Sequence, residues 1–206
     1  MRMKCLCAIA ALLCAAGIGR ADGIGPNCNT CQGSIYTLTF AAAGTNTWDI
    51  FYTIDTSGYN GGGTLLDDVA FKATSMFPTT TTLLAAPGGI GDWTVENGGI
   101  NSGGCDGTGG GFVCAFADSL GVAPSVPDGT YVWEFQIVTT QPPLTGSFAS
   151  SIKARYTNGD GSKVGALVSE PITLQSSTVP EPSSLLLLGS SLLGLGTILR
   201  RRLVRS

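Results

Sequence analysis

No histidine occurs anywhere in the 206 residues, and that absence removes a broad range of chemistry. Ser-His-Asp and Cys-His nucleophiles, imidazole ligation of metals and imidazole general bases all require the ring. Lysine and arginine are scarce and unevenly placed. Of the 11, Arg2, Lys4 and Arg20 lie near the start, and Arg200, Arg201, Arg202 and Arg205 near the end. Residues 22–178 keep only Lys72, Lys153, Arg155 and Lys163, four bases against thirteen acids, a net charge of −9. A body this acidic repels phosphate backbones, so nucleic acid is not an expected partner. No stretch shows the periodicity of an amphipathic helix. A lipid-modified N-terminus is excluded as well, because Cys14 follows Leu12-Leu13, where lipid attachment needs a small residue.

What is present begins with two ends that look like addresses. Arg2 and Lys4 precede an apolar run over residues 5–18, and Gly19 and Ala21 stand three and one residues before a cut between Ala21 and Asp22. That layout predicts a secretory signal peptide over residues 1–21. At the other end, residues 183–199 contain no charge and no proline. As a helix they reach about 25 Å, slightly short of a bilayer core, and Arg200, Arg201 and Arg202 can snorkel to extend the span. The arginines place the short tail 200–206 in the cytoplasm by the positive-inside rule. Both ends therefore put residues 22–178 outside.

Pro180 and Pro182 flank Glu181. Each proline fixes φ and pushes its predecessor away from the helical region, so this stretch should be extended and stiff. Val179-Pro180-Glu181-Pro182, followed by the short apolar span and the arginine cluster, resembles the PEP-CTERM sorting signal of Gram-negative bacteria. The resemblance covers about the last 28 residues. It implies that an exosortase, a membrane-embedded cysteine-type processing enzyme, acts near the proline motif, and that the product reaches the outer envelope or an exopolysaccharide-rich biofilm matrix. Similar tails occur on proteins described as ice-binding. The tail implies a route and leaves the cargo open.

The cargo, residues 22–175, is predicted to be all-β, with 176–182 as spacer and sorting motif. Trp48, Ile50, Tyr52 and Ile54, at every second position, share one face of their run, as do Tyr131, Trp133, Phe135 and Ile137 of theirs. In residues 151–157, Ile152, Ala154 and Tyr156 share one face and Lys153 and Arg155 the other. Further candidate strands cover 34–40, 68–74, 92–96, 112–117 and 164–174, separated by Gly, Pro, Asn and Asp. Eight or nine strands without a helix predict an antiparallel β-sandwich with jelly-roll-like winding. Of seven cysteines, Cys5, Cys7 and Cys14 leave with the signal. Cys28, Cys31, Cys105 and Cys114 then admit three disulfide pairings, of which Cys28–Cys31 with Cys105–Cys114 closes the shortest loops. A four-thiolate zinc site is the rival, although eight residues between Cys105 and Cys114 exceed the usual knuckle spacing.

Sites follow from the same residues. Without histidine, the hydrolase that survives most easily is a glycosidase with two carboxylates, for which Glu96 and Glu134 are the candidates. A carboxylate on the polar face of a strand is more often merely solvated. The three tryptophans fall on apolar phases and read as core, which leaves Tyr59, in a glycine loop, as the aromatic best placed to stack on a sugar. Residues 98–111 are glycine-rich but lack the Lys-Ser/Thr of a phosphate loop and lead into a strand. Asn158, Asp160 and Ser162 alternate as in calcium loops, yet Lys163 and Ser169 stand where glycine and a bidentate glutamate belong, so a hairpin is expected. Thr79–Thr82 form one threonine cluster without a repeat, which does not make an ice-binding array. No catalytic residue, metal or cofactor is expected. The reading is a non-catalytic exported surface or matrix protein, with a polysaccharide-binding module as alternative; exosortase, the membrane and exopolysaccharide are the expected partners.

Overall fold

The computed structural model describes residues 23–177 other than 108 and 148. The signal sequence, its cut at Ala21/Asp22, Val179–Pro182, the apolar run and Arg200–Arg202 lie outside the described residues.

Ten strands occur among the described residues: β1 (Ile35–Gly44), β2 (Thr47–Asp55), β3 (Leu65–Lys72), β4 (Thr80–Ala85), β5 (Trp93–Asn97), β6 (Phe112–Ala117), β7 (Thr130–Val138), β8 (Ser150–Thr157), β9 (Lys163–Ile172) and β10 (Gln175–Ser176). A front sheet has the order β10-β1-β2-β7-β4 and a back sheet the order β5-β6-β3-β8-β9. Every pairing is antiparallel except β1 with β10. The alternation read from the sequence is what closes the two sheets on each other. Ile50, Tyr52, Ile54, Trp133, Phe135 and Ile137 are fully buried from the front sheet, and Val69, Phe71, Ile152, Ala154 and Tyr156 from the back. Phe71 meets Phe135 with ring centroids 4.9 Å apart, and Trp93 meets Trp133 edge-on at 5.2 Å, so aromatic pairs bridge the layers. Trp48 is half-buried and packs edge-on against Phe40.

The winding is jelly-roll-like only in its inner part. The nested pairs β5–β6, β4–β7 and β3–β8 are formed. The next pair of such a nest, β2 with β9, is not: β9 stays in a hairpin with β8, and β2 lies against β7. The five residues between β8 and β9 explain why. Asp160 accepts hydrogen bonds from the amide and hydroxyl of Ser162 at 2.9 and 2.6 Å, an Asx-type turn that returns the chain at once. The expected hairpin is therefore present, and Asp160 is used within it. Threonines 80–82 form the start of edge strand β4, where successive side chains point to opposite faces, so they present no flat array.

All strands run between two ends of the sandwich. One end carries the connections β2–β3, β4–β5, β6–β7 and β8–β9. The other carries β1–β2, β3–β4, β5–β6, β7–β8 and β9–β10.

Candidate functional site

The middle of the back sheet's outer face, over β6 and β3, is withdrawn from solvent. Residues 98–111 leave β5, fold back over β6 and β3, and are stapled there by a Cys105–Cys114 disulfide. Beneath them lies a second small core of Ala70, Cys105, Phe112 and Cys114, with Ile100 and Phe116 packed against it. The other pair, Cys28–Cys31, closes the turn ahead of β1. Both sulfur pairs follow the shortest-loop pairing, which leaves no four-thiolate zinc site.

The cover is held by two outward residues of β8. Lys153 Nζ donates to the Ile100 carbonyl at 3.4 Å and stands 4.8 Å from the Phe112 ring centre. Arg155 donates through one nitrogen to the Gly103 carbonyl at 3.1 Å and to Asp68 Oδ2 at 2.9 Å. Its other terminal nitrogen is 3.7 Å from Asp67 Oδ2. Two consecutive aspartates can face one guanidinium because β3 is bulged between Leu66 and Asp68, which turns Asp67 out of the strict alternation. Gly104, at φ 130°, permits the close approach: a Cβ there would lie 3.0 Å from the Arg155 nitrogen and 3.2 Å from Asp68 Oδ2.

Beside this ion cluster is an open cleft of about 310 Å³ lined by Asp67, Asp68, Glu96, Asp106, Phe116 and Arg155, among others. Burial, and then the neighbouring charge of Asp67, push the Asp68 carboxyl up to about 6. Burial also pushes Asp67 up, against the pull of Arg155, and lowers Lys153 below the usual ammonium range. These are the signs expected when ions are withdrawn from water and only partly compensated. Among the described residues, no group of three or more Asp, Glu or Cys is arranged to hold a metal ion. Both aspartates face Arg155, and Arg155 in turn holds the covering loop at Gly103, so the arrangement acts as a latch.

The residues expected to form sites are placed elsewhere. Glu96 points outward from β5 of the back sheet and Glu134 outward from β7 of the front sheet. They stand on opposite outer faces of the sandwich, which removes the carboxylate pair of a glycosidase. Tyr59 is not an exposed platform: it is 6% exposed and stacks on Tyr156 with centroids 4.4 Å apart. The Gly63 amide donates to its hydroxyl at 3.0 Å, and Gly61 and Gly63 close over the ring where any Cβ would collide with it. The glycines that suggested a floppy loop are what allow Tyr59 to be roofed.

Tyr59 belongs to a buried tyrosine group. The Tyr36 and Tyr156 hydroxyls share a hydrogen bond of 2.6 Å, and Tyr156 also donates to Ser34 Oγ at 3.3 Å. Burial pushes the Tyr156 hydroxyl up to about 12 and raises Tyr36 and Tyr52 well above the usual phenol range. The Tyr36 and Tyr156 hydroxyls satisfy each other inside the sandwich, and the Tyr52 hydroxyl donates to the Lys153 carbonyl at 3.2 Å.

Residues 178–202 match the family model of the PEP-CTERM protein-sorting motif, the segment in which the sequence shows that resemblance. No curated protein matches the chain significantly. Among solved structures, the CBM3a-L domain with flanking linkers from the scaffoldin CipA of the Clostridium thermocellum cellulosome is similar at 11% identity and a TM-score of 0.37, over 67% of this chain and 98% of that one. A GH20 exo-β-N-acetylglucosaminidase from Vibrio harveyi is similar at 12% identity and 0.35, over 70% of this chain and 18% of that one. BcpA, the major pilin subunit of Bacillus cereus, is similar at 12% identity and 0.31, over 66% and 36%. At these TM-scores the likenesses carry no argument about this chain. The sorting motif implies an exported protein handled by an exosortase.

Proposed function

We propose that the sandwich is the cargo of an exosortase-dependent export route and acts outside the cell without catalysis, as a structural or adhesive component of the cell surface or biofilm matrix. Residues 1–21 direct export, residues 183–199 hold the precursor in the inner membrane with Arg200–Arg202 on the cytoplasmic side, and the enzyme acts near Val179–Pro182. The observation that carries this reading is the sorting-motif match beginning at residue 178. It starts directly after Ser177, whose amide is hydrogen-bonded to the Phe40 carbonyl at 2.7 Å. A non-catalytic role is supported by the lack of histidine, by the separation of Glu96 from Glu134, and by the engagement of Asp67 and Asp68 with Arg155.

The test is expression of the full chain in an exosortase-bearing Gram-negative host, beside a variant with Pro180→Ala, Glu181→Ala and Pro182→Ala. The natural chain is expected to convert to a shorter form that leaves the inner membrane, while the variant stays full-length and membrane-bound. Identical size and location for both would overturn the reading. Co-sedimentation of the released form with the host's exopolysaccharide then separates a glycan-binding role from a purely structural one.

A further inference from the structure

The two ends of the sandwich differ in charge. At one end, residues 45–46, 73–79, 139–149 and 173–177 contain no Asp, Glu, Lys or Arg; Lys72 closes β3 there, and the β5–β6 connection, which leaves from the same end, folds back over the back sheet and takes Asp106 with it. Met76 and Phe77, between β3 and β4, are 54% and 46% exposed there. The opposite end carries Asp92, Asp118, Asp128 and Asp160 in its connections, with Asp55 at the close of β2. Ile90 is 54% exposed at that end, but it stands among these carboxylates.

The chain leaves the domain toward the uncharged end. β10 runs parallel to β1, with Phe40 opposite Ser176, so the chain is heading toward the Gly44 end of β1 as it reaches Ser177. From Ser177 to the first residue of the apolar run, Ser183, a fully extended chain reaches about 20 Å. About 10 Å of that spans the remainder of β1 from Ala41, level with Ser177, to Gly44. That tether holds this end within about 10 Å of the start of the apolar run.

We propose that in the anchored precursor this end rests on the membrane, with Met76 and Phe77 seated in the lipid interface and the acidic end turned away. This rests on residues 183–199 spanning the bilayer. The chemistry agrees at both ends. Exposed apolar side chains gain by entering the interface, whereas carboxylates lose hydration there and are repelled by anionic headgroups. The competing orientation lays the β9–β10 edge on the membrane. That edge exposes Val168 to 60%, but Lys163 and Glu170 lie on the same strand and β10 points along the sheet instead of outward.

The experiment uses the full chain reconstituted into phosphatidylcholine–phosphatidylglycerol vesicles, with brominated phosphatidylcholine as quencher. Single tryptophans are introduced as Phe77→Trp, Ile90→Trp and Val168→Trp, with Met76→Trp as a second probe of the same loop. Flotation with the vesicles after alkaline extraction checks the span. The expected result is flotation of all variants, with loss of the added emission for Phe77→Trp and Met76→Trp and none for the other two. Flotation with no added quenching at positions 76 and 77, or with quenching at 168 in their place, overturns the proposed orientation alone. Failure to float overturns the span, and the proposal with it.

Discussion

The two outer faces of the sandwich start from the same kind of sequence and end in different environments. On the front sheet, Glu134 follows the inward Trp133 and emerges on an uncovered surface, half-buried between its strand neighbours. On the back sheet, Asp68 precedes the inward Val69 and should emerge likewise, yet it is buried. The difference is made by residues 98–111, which lie over one face and have no counterpart on the other. Alternation along a strand therefore fixes which sheet face a side chain takes, while a distant loop decides whether that face is wet. A carboxylate on the covered face must find a cation, and Arg155 supplies it.

The sharpest way to break this contrast is to remove the cation. Arg155→Ala leaves Asp67 and Asp68 buried without their partner and frees the Gly103 carbonyl. The expected loss is about 3–5 kcal/mol, measured by denaturant unfolding of the oxidised domain, with Arg155→Lys falling between. A loss below about 1 kcal/mol would mean that water reaches both carboxylates and that the cover is looser than described.

Next in size is the staple. Replacing Cys105 and Cys114 together by serine removes a short loop closure and is expected to cost about 2–3 kcal/mol. Limited proteolysis should then cut within residues 98–111 before any strand. If cleavage instead begins on the front sheet, the covered face does not depend on the disulfide.

Protonation gives a subtler test. The Asp68 carboxyl is raised from 3.8 to about 6, so between about pH 4 and 6 the native state keeps a proton that the unfolded chain has lost. Its contribution to stability is fully present below about 4 and is lost as pH rises through about 6. Asp55, held below the usual range mainly by the Ser57 amide, works in the opposite sense at lower pH and is common to both proteins compared. Over this window the melting temperature of the natural domain should fall relative to that of Asp68→Asn. Parallel pH profiles would show that Asp68 keeps an ordinary carboxylate pKa.

The strands were largely legible because period-two alternation is a local property. Trp48 to Ile54 and Tyr131 to Ile137 took the predicted phases, and the β8–β9 turn followed from Asn158 to Ser162. β4 was missed since Thr80, Thr81 and Thr82 show no alternation, and β10 is only two residues long. The latch was not legible. It depends on a bulge at Asp67, on Gly104 at positive φ, and on contacts between residues 52 and 87 positions apart. Tyr59 failed for a related reason: glycines that look like flexibility in a sequence can be the clearance a packed ring needs.

The smallest expected effect falls on the uncovered face. Glu134 makes no ion pair among the described residues, and its cross-strand neighbours are Phe51 and Ala85. Glu134→Ala should change stability by less than about 0.5 kcal/mol, a shift of about 1–2 °C in a domain of this size. Paired with Asp68→Ala, where a half-buried guanidinium loses its shorter partner, it makes a two-point comparison of one residue class on two faces. Equal effects would mean the cover leaves Asp68 as solvated as Glu134. A large effect at Glu134 would mean that the front face is occupied in solution, and analytical ultracentrifugation of that variant against the natural domain would then show whether a second copy sits on it.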